Sequence, residues 1–574
     1  MRKEAIRHIP MSEDAYAMNE QRVIFRIRTA RDDLTTCTLY YGDRSCRQTP
    51  VLFTGIPMEV VAQDTMFDYY EIDFNTPYKR ICYYFELCKE NEKTFYYGDF
   101  FHEQLVDDRS EYYQLPFVHR EDIAKVPGWV YNAIVYQIFP DSFATSREYI
   151  SQKAVETEYQ GYPVRGKLGG TIRGITENVD YLVRLGINCI YINPLFTAGE
   201  YHKYDLLDYY SIDPAFGDNH DFKELVDTMH KNKIRVIIDG VFNHCGWNFF
   251  AFENVVRNGE NSKYKDWFYG VKYPVIKPDN MEDIPEYDCF GYERLMPKLN
   301  TANPEVIEYF CNVGRYWIQE YKIDGWRLDV ASEVNDDFWR CFRKAVKEVS
   351  PEALLIGEVW ESASHWLDGS MFDSTMNYDM RRHCRRFFAD NSIDAAEFDG
   401  RVTNMRMRYR KQILSAQLNL LDSHDVSRFF SLCQKSVKKY KLAVLFQMCF
   451  CGMPSIFYGD EQGLWGINEE DYRQPIKWSE EHSLFEFYQK VIALRKKHKG
   501  LKYGDYKTLY ARKGCSLYVF SREYENEKII IALNASSREV QWEAPKGKRL
   551  MESFVEGNVI SAYGYLVIQN MGDE

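Results

Sequence analysis

The feature that most constrains this fold is an alternation of short apolar runs with helical stretches between residues 130 and 499. Eight of the runs have the length and the apolar content of buried strands, and helical patterns lie between them. Eight strand–helix units predict an α/β fold, a (β/α)8 TIM barrel. The predicted strands are residues 133–139, 187–193, 234–239, 323–329, 354–359, 371–376, 416–421 and 455–458.

The clearest helix is predicted for residues 304–321, because Asn303 is placed to cap it and Pro304 occupies its first position. Further helices are predicted for residues 221–232, 336–349 and 484–499. The segment 242–301 follows the third strand and lacks this regular pattern. We therefore expect an insertion in the barrel at that point.

The two ends of the chain have a different pattern, rich in β-branched and aromatic residues with turn residues between the runs. Residues 1–122 are predicted to form an N-terminal β-sandwich module, and residues 123–129 resemble a linker. Residues 500–574 are predicted to form a small C-terminal β domain. The predicted strands of these two parts are residues 23–28, 37–41, 68–74, 81–87, 516–520, 528–533 and 563–568.

The charge and the cysteines of the chain narrow its partners and its compartment. A net charge of -13 argues against nucleic acid or an anionic membrane as a partner. The N-terminal residues contain no apolar stretch of signal-peptide length, and no apolar run could cross a bilayer. The 14 cysteines are scattered without a Cys-x-x-Cys pair, which favours free thiols in a reducing cytoplasm.

Polar residues cluster where the predicted barrel strands end, and in such a barrel the catalytic groups lie at those ends. Each cluster alone has a structural explanation, such as a helix cap, a packed histidine or a salt bridge at the rim. Four clusters at one mouth indicate an active site. They contain Asp239 and His244 after strand three, Arg327 and Asp329 at strand four, Glu358 and Trp360 after strand five, and Asp422, His424 and Asp425 after strand seven.

Acidic residues without a Ser-His-Asp or zinc-binding pattern indicate cleavage of an acetal, which needs one carboxylate and one carboxylic acid. Arg327 and Asp329 are two apart, so on a strand they project from the same face. The guanidinium should lower the pKa of Asp329 and keep it ionised, as a nucleophile requires, although a structural ion pair would have the same spacing. Glu358 has apolar neighbours, so we expect a raised pKa and the acid/base role.

Several short motifs resemble those of the α-amylase family of glycoside hydrolases. Within that family they are most similar to the group of cyclomaltodextrinases, neopullulanases and maltogenic amylases, and residues 296–300 are the most particular to this group. The resemblance extends over nearly the whole chain, including the β module before the barrel. The motifs are residues 135–141, 202–205, 212–214, 239–244, 296–300, 325–330, 357–360, 421–425 and 458–461.

The resemblance implies a role for each candidate residue and a reaction that retains the anomeric configuration. Asp329 would be the nucleophile, Glu358 the acid/base and Asp425 the carboxylate that binds sugar hydroxyls. The implied substrate-binding residues include Arg327, which would orient Asp329. Phe290 and Tyr292 would form an acceptor-side wall or, as an alternative, pack in the core of the insertion. The remaining candidates are His202, Tyr204, His244, Trp360, His424 and Arg473.

The sequence also departs from the group's pattern. The group usually carries calcium-binding residues after the first strand, but residues 142–150 offer few oxygen ligands. We therefore predict no calcium in that loop, no other metal and no cofactor. Ser332 stands where the group often has Asn, and residues 469–471 depart from the usual Asp-Pro. Both changes could alter the preference on the acceptor side.

The implied substrates are cyclodextrins, maltooligosaccharides, pullulan or starch, cleaved at α-1,4 bonds or, as an alternative, at α-1,6 bonds. A transglycosylase would use the same residues. A catalytically inactive carbohydrate-binding scaffold should lack at least one of the three acids, and all three are present. The resemblance further implies a homodimer formed through the N-terminal module.

Overall fold

The computed structural model describes residues 1–116, 118–145, 156–159, 162–280, 282–478 and 483–570. Its centre is a closed barrel of eight parallel strands, in which each strand pairs with the next in the sequence and the eighth pairs with the first. The predicted (β/α)8 barrel is confirmed. Its strands are β1 Val135–Ile138, β2 Cys189–Ile192, β3 Arg235–Gly240, β4 Gly325–Leu328, β5 Leu354–Gly357, β6 Ser374–Asn377, β7 Leu418–Leu420 and β8 Met453–Phe457.

The strands of the barrel are short and almost entirely buried, which explains why they appear as apolar runs without alternation. Three tryptophans, Trp317, Trp326 and Trp339, are fully buried in the core. The α-helices of the described residues are Pro140–Phe143, Ile172–Glu177, Val179–Leu185, Asn219–Lys231, Phe250–Asn258, Pro304–Tyr321, Asp336–Val349, Tyr378–Cys384, Ala395–Met407, Lys411–Leu414, Phe429–Leu432, Val437–Cys449, Glu469–Tyr472, Ser483–Lys497 and Lys499–Tyr503.

The start of helix Pro304–Tyr321 follows the predicted chemistry. The Asn303 side chain accepts a hydrogen bond from the N–H of Glu305 at 2.8 Å, and Pro304 is the first helical residue. The helix ends at Lys322, which has a left-handed backbone with φ of 60°. Helix Asn219–Lys231 begins with a capping box, in which Asp218 and Asp221 each accept from the other's backbone N–H.

The insertion lies after β3, as predicted. It contains helix Phe250–Asn258 and a short antiparallel pair, Cys289–Phe290 with Glu293–Pro297. The segment that follows this pair returns to the barrel, because Lys298 forms a β-bridge with His244. This bridge carries the insertion to the mouth of the barrel.

Antiparallel sheets precede and follow the barrel in the sequence. They confirm the predicted N-terminal β-sandwich and C-terminal β domain. The first N-terminal sheet contains Ala15–Ala17, Arg22–Ala30, Phe67–Asn75 and Glu59–Gln63, in spatial order. The second contains Thr54–Pro57, Thr36–Asp43, Ile81–Lys89, Glu92–Tyr97 and Phe100–His102, with Tyr113–Leu115 also on Ile81–Lys89. The C-terminal sheet contains Asp505–Ala511, Leu517–Tyr524, Glu527–Asn534, Val559–Asn570 and Val540–Gln541, with Gly547–Glu556 also on Val559–Asn570.

One lysine joins these parts of the chain. The ammonium of Lys411 lies 3.1 Å from Glu71 and 3.3 Å from Asp73 in the N-terminal module, and 3.2 Å from Asp505 in the C-terminal sheet. Arg26 of the N-terminal module donates to the carbonyl of Met407 at 3.0 Å. The N-terminal module is therefore attached to the barrel by charged and polar contacts.

Candidate active site

Arg327 is the centre of the polar group at the mouth of the barrel. It is fully buried on β4, and its guanidinium contacts three carboxylates. Nη1 donates to Asp239 at 2.9 and 3.0 Å and to Asp329 at 2.8 Å. Nη2 lies 2.9 Å from Oε1 of Glu358, an ion pair without the angle of a hydrogen bond. The side chains predicted at the ends of strands three, four and five therefore meet around one cation.

The register of the barrel strands produces this meeting. Asp239 on β3 pairs directly with Arg327 on β4. Leu328 on β4 pairs with Gly357 on β5, so Glu358 emerges beside Asp329. The backbone N–H of Glu358 also donates to the carbonyl of Leu328 at 2.9 Å. Parallel strands of a barrel present their carboxyl ends at one rim, and this pairing places the acids at the same height.

The Glu358 carboxylate is held by two further donors. Oε2 accepts from the backbone N–H of Val330 at 3.0 Å, and Oε1 accepts from the indole N–H of Trp360 at 3.2 Å. Val330 has a φ of 43° and a ψ of 45°, which is a strained left-handed backbone for a β-branched residue. Such strain persists where the surrounding structure enforces it, and here it directs the Val330 N–H toward the carboxylate.

Asp425 and His424 form the neighbouring part of the site. Nε2 of His424 lies 3.1 Å from Oδ2 of Asp425, and Nδ1 contacts the amide nitrogen of Gln137 at 2.8 Å. Nη2 of Arg473 lies 3.7 Å from Oδ1 of Asp425, and its Nε donates to the carbonyl of His424 at 2.9 Å. The Tyr204 ring is parallel to the His424 ring, with 5.6 Å between their centroids.

Burial and neighbouring acids raise the pKa of two carboxyl groups in the site, Asp329 and Asp425. Burial, with the charges of Glu358, Asp239 and Asp425, raises the pKa of Asp329 well above its usual range, and Arg327 opposes this rise. Burial and Glu358 raise the pKa of Asp425 in the same way. Arg327 lowers the pKa of Asp329 as expected, but it does not outweigh burial and the neighbouring acids, so the expectation of a carboxylate with a low pKa is wrong. That expectation considered one carboxylate, whereas three carboxylates share the guanidinium.

The histidines of the site are neutral at physiological pH. Burial, with nearby cations, lowers the pKa of His202 to about 4 and that of His244 to about 3. Burial and Arg327 lower the pKa of His424 well below its usual value. Nε2 of His244 is buried without a hydrogen-bond partner among the described residues. A neutral imidazole nitrogen in this position can bond to a hydroxyl group of a substrate.

Aromatic side chains lie beside the acids and histidines of the site. The Phe290 ring stacks on His244 with 4.6 Å between centroids, and Trp360 stacks on Tyr378 at 3.9 Å. Trp360 remains 43% exposed and so presents a ring face to solvent. Tyr292 is 82% exposed, and no hydrogen bond or ring contact of the described residues joins it to the group.

Arg473 belongs to a small network with two neighbouring loops. Its Nη1 donates to the Tyr201 hydroxyl at 3.0 Å and to Glu469, and Tyr201 also donates to Glu469 at 2.6 Å. Glu469 is one of the residues that depart from the motif pattern. Its carboxylate is the acidic partner of Arg473 in this network. Ser332, the other departure, is exposed.

Sequence reasoning missed several residues of the site. Tyr191 donates to Asp239 at 2.7 Å, and Asn193 contacts His424 at 3.1 Å. Gln137 contacts His424, and the Tyr378 ring stacks on Trp360, so both residues also belong to the site. The available signal was a polar or hydroxyl-bearing side chain inside a buried barrel strand, because such a group needs a partner in the barrel interior.

In the loop predicted to lack calcium, residues 146–150 lie outside the described residues. Just before that loop, the Asp141 carboxylate accepts from the N–H groups of Lys167, Leu168 and Gly169. In the described chain, one acidic and histidine group has the spacing to hold a metal, namely Asp218, His220 and Asp221. Its two carboxylates form the capping box described above, and the group lies outside the site.

A (β/α)8 barrel with acids from several strand ends and neutral histidines beside them offers the paired carboxyl groups that a glycoside hydrolase requires. Residues 137–480 match the family model of the alpha amylase catalytic domain, and residues 1–119 match that of the alpha amylase N-terminal ig-like domain. The chain belongs to the alpha-amylase family.

Its relatives include a cyclomaltodextrinase of Geobacillus thermopakistaniensis, 40% identical over 96% of this chain and 95% of the relative. A neopullulanase 2 of Thermoactinomyces vulgaris is 39% identical over 92% of this chain and 91% of the relative. A solved structure of a cyclomaltodextrinase superposes with a TM-score of 0.91 at 37% identity, covering 99% of this chain and 100% of that one. No helix of the described residues is both long and apolar enough to cross a membrane.

Proposed function

We propose that this enzyme cleaves α-glucosidic bonds of short or cyclic glucans by double displacement, with retention of the anomeric configuration. Asp329 attacks the anomeric carbon, and Glu358 protonates the leaving oxygen. Glu358 then deprotonates the water that releases the sugar from Asp329. Arg327 holds both carboxylates during these steps.

The observation that carries this proposal is the shared contact of Asp329 and Glu358 with one guanidinium. Retention needs two carboxyl groups about 5–5.5 Å apart, and the contact of both acids with one planar cation supports this, because it places them near each other. Burial and the neighbouring acids raise the pKa of Asp329, so its ionisation as a nucleophile depends on the positive charge of Arg327 beside it. Glu358 is proposed to carry the proton that the leaving oxygen receives.

The remaining polar side chains are proposed to bind the sugar whose bond is cleaved. Asp425 would accept hydrogen bonds from two hydroxyl groups, and His424 and the unpartnered Nε2 of His244 would bond to others. The Tyr204 ring would stack beneath the same sugar. His202 and Arg473 would complete the pocket. The pocket would therefore bind the hydroxyl groups of an uncharged sugar.

The acceptor side is proposed to bind further glucose units on aromatic rings. The Trp360 ring has an exposed face, and the Phe290 ring stacks on the His244 ring. The names of the relatives support cyclomaltodextrins and pullulan as substrates. We propose α-1,4 bonds of cyclodextrins, maltooligosaccharides, pullulan or starch as the targets, with α-1,6 bonds as the alternative.

The test is a product profile of the purified protein on β-cyclodextrin, pullulan and soluble starch. We expect hydrolysis of all three, with faster turnover of cyclodextrin, and a first product that proton NMR identifies as the α-anomer. Added glucose should produce only a minor fraction of new oligosaccharides, because water is the main acceptor. A β-anomer as the first product would contradict the mechanism, and predominant transfer to glucose would contradict a hydrolase.

We also propose that two chains pair through the N-terminal module in the cytoplasm. Leu52 and Phe100 of this module are 69% and 70% exposed, which is unusual for large apolar side chains. All 14 cysteines are free, as expected in a reducing compartment. Sedimentation velocity should give the mass of two chains for the native protein and of one chain for the double variant Leu52→Glu and Phe100→Glu. A native monomer would contradict the pairing.

A further inference from the structure

A buried arginine outside the site connects two of its loops. Arg428 lies three residues after Asp425 and is fully buried. Its Nε donates to the carbonyl of Tyr472 at 3.0 Å, and its Nη1 contacts Oδ1 of Asp460 at 3.0 Å. Its backbone N–H donates to the carbonyl of Gly466 at 3.0 Å. One residue of the loop after β7 therefore holds three points of the segment that follows β8.

Packing fixes this guanidinium in one orientation. Its central carbon lies 4.3 Å from the ring centroid of Phe457 and 5.0 Å from that of Tyr458. The next residue, Phe429, donates its backbone N–H to Asp422 at 2.7 Å. A planar guanidinium offers donors in fixed directions, so it can bind a carboxylate and a carbonyl at a defined separation, which a lysine ammonium cannot do.

The two loops that Arg428 connects carry two residues of the sugar pocket. Tyr472, whose carbonyl it binds, immediately precedes Arg473 in the sequence. Asp425 belongs to the loop of Arg428 itself. The contact of Arg473 with Asp425 is long, at 3.7 Å, and the two loops also meet directly where Arg473 donates to the carbonyl of His424 at 2.9 Å. Arg428 adds two buried contacts of 3.0 Å, with the carbonyl of Tyr472 and with Asp460, which fix the segment on which Arg473 lies.

We propose that Arg428 is a positioning residue that holds Arg473 in place beside Asp425, and through this placement sets the affinity of the pocket for its sugar. The inference rests on the proposed function, because it assumes that Asp425 and Arg473 bind substrate. Arg428 itself has no access to the substrate. Its effect should therefore appear in binding and should depend on the presence of Arg473.

The first test is Arg428→Lys in the full-length protein. Lysine keeps the charge opposite Asp460 but cannot also donate to the carbonyl of Tyr472. We expect KM for a maltooligosaccharide to rise about tenfold, with kcat changed less than threefold, as for a loss of uniform binding. The matched control is Arg522→Lys. Arg522 is equally buried and also donates to main-chain carbonyls, those of Cys449 and Gly504, outside the site.

The second test is a double-mutant cycle with Arg473→Ala. If Arg428 acts through Arg473, then Arg428→Lys should raise KM in the native background and add less than twofold in the Arg473→Ala background. Additive effects, an unchanged KM in Arg428→Lys, or an equal rise in Arg522→Lys would overturn the inference while leaving the proposed function intact. If Arg473→Ala alone did not raise KM, both the pocket assignment and this inference would fail.

A second variant keeps the proposal testable if Arg428→Lys does not fold. Asp460→Asn replaces the carboxyl group that contacts the guanidinium and leaves Arg428 in the chain. We expect a smaller rise in KM, again absent in the Arg473→Ala background. A rise of equal size in both backgrounds would overturn the proposal.

Discussion

Several carboxyl groups lie close together in the site. Removing one of their negative charges should therefore stabilise the protein while it damages catalysis. Asp425→Asn is the variant that tests this. Burial and Glu358 raise the pKa of Asp425 from 3.8 to about 7, and Arg327 and Arg473 only partly oppose the rise. A carboxyl group whose pKa is higher in the folded state than in the unfolded state destabilises the protein wherever the unfolded chain would ionise it.

The size of this effect follows from the pKa. One pKa unit corresponds to about 1.4 kcal/mol, so the rise in Asp425 would cost up to about 4 kcal/mol above pH 7. The side chain is 27% exposed, and solvent screening reduces the expected cost to about 2 kcal/mol. Below about pH 4 the group is protonated in both states and costs nothing. The cost therefore develops between about pH 4 and pH 7 and is complete above that range.

The assay is thermal unfolding of the native protein and of Asp425→Asn at pH 4.5 and pH 8. We expect the variant to unfold about 2 °C higher at pH 8, and the difference to fall to a small fraction of that at pH 4.5. Its kcat should fall by at least two orders of magnitude at both values. Asp107→Asn, a change of an exposed carboxylate, is the control and should leave the unfolding temperature unchanged. A variant less stable than the native protein at pH 8, or a pH-independent difference, would refute the reasoning.

Three further outcomes follow from the assigned roles. Asp329→Asn should lower kcat on the order of 10³-fold or more without loss of the folded state, as circular dichroism and kinetics can show, since the nucleophile is removed and no core contact is lost. Glu358→Gln should lower turnover of a maltooligosaccharide about 10²–10⁴-fold but turnover of α-glucosyl fluoride much less, because fluoride leaves without protonation; equal losses on both substrates would contradict the acid role. Trp360→Ala should raise KM for cyclodextrin about tenfold, because it removes the ring that stacks on Tyr378 and is proposed to bind glucose units. An unchanged KM would contradict this role of the ring.

The architecture was predictable because the barrel strands have a distinctive composition. Each strand is buried on both faces, so it appears as an apolar run that ends in a polar residue, as Ile323 to Asp329 does. Helix Pro304–Tyr321 was predicted to the residue because its cap and proline are local signals. The N-terminal module was predicted less completely. Strands such as Thr54–Pro57 and Glu59–Gln63 are short and largely exposed, and their sequences contain little periodic signal.

The site residues that follow the end of a strand were predictable. Those that lie within a strand, with side chains in the barrel interior, were not. Asp329 and Glu358 stand directly after β4 and β5, so their meeting follows from strand order. Gln137 and Tyr191 lie within β1 and β2, and their contacts with His424 and Asp239 depend on which of their side chains point into the barrel interior. The pKa of Asp329 was also inaccessible, because sharing of Arg327 by three acids is a property of the assembled mouth.

The most direct test of the account is to trap the intermediate that it requires. Incubation with 5-fluoro-α-glucosyl fluoride should accumulate a covalent glycosyl-enzyme, and mass spectrometry of peptic peptides should place the added sugar on Asp329. Cleavage of natural substrate should then recover as the adduct is hydrolysed with the help of Glu358. An adduct on Asp239, Glu358 or Asp425, or full inactivation without any covalent sugar, would contradict the assignment of Asp329 as the nucleophile.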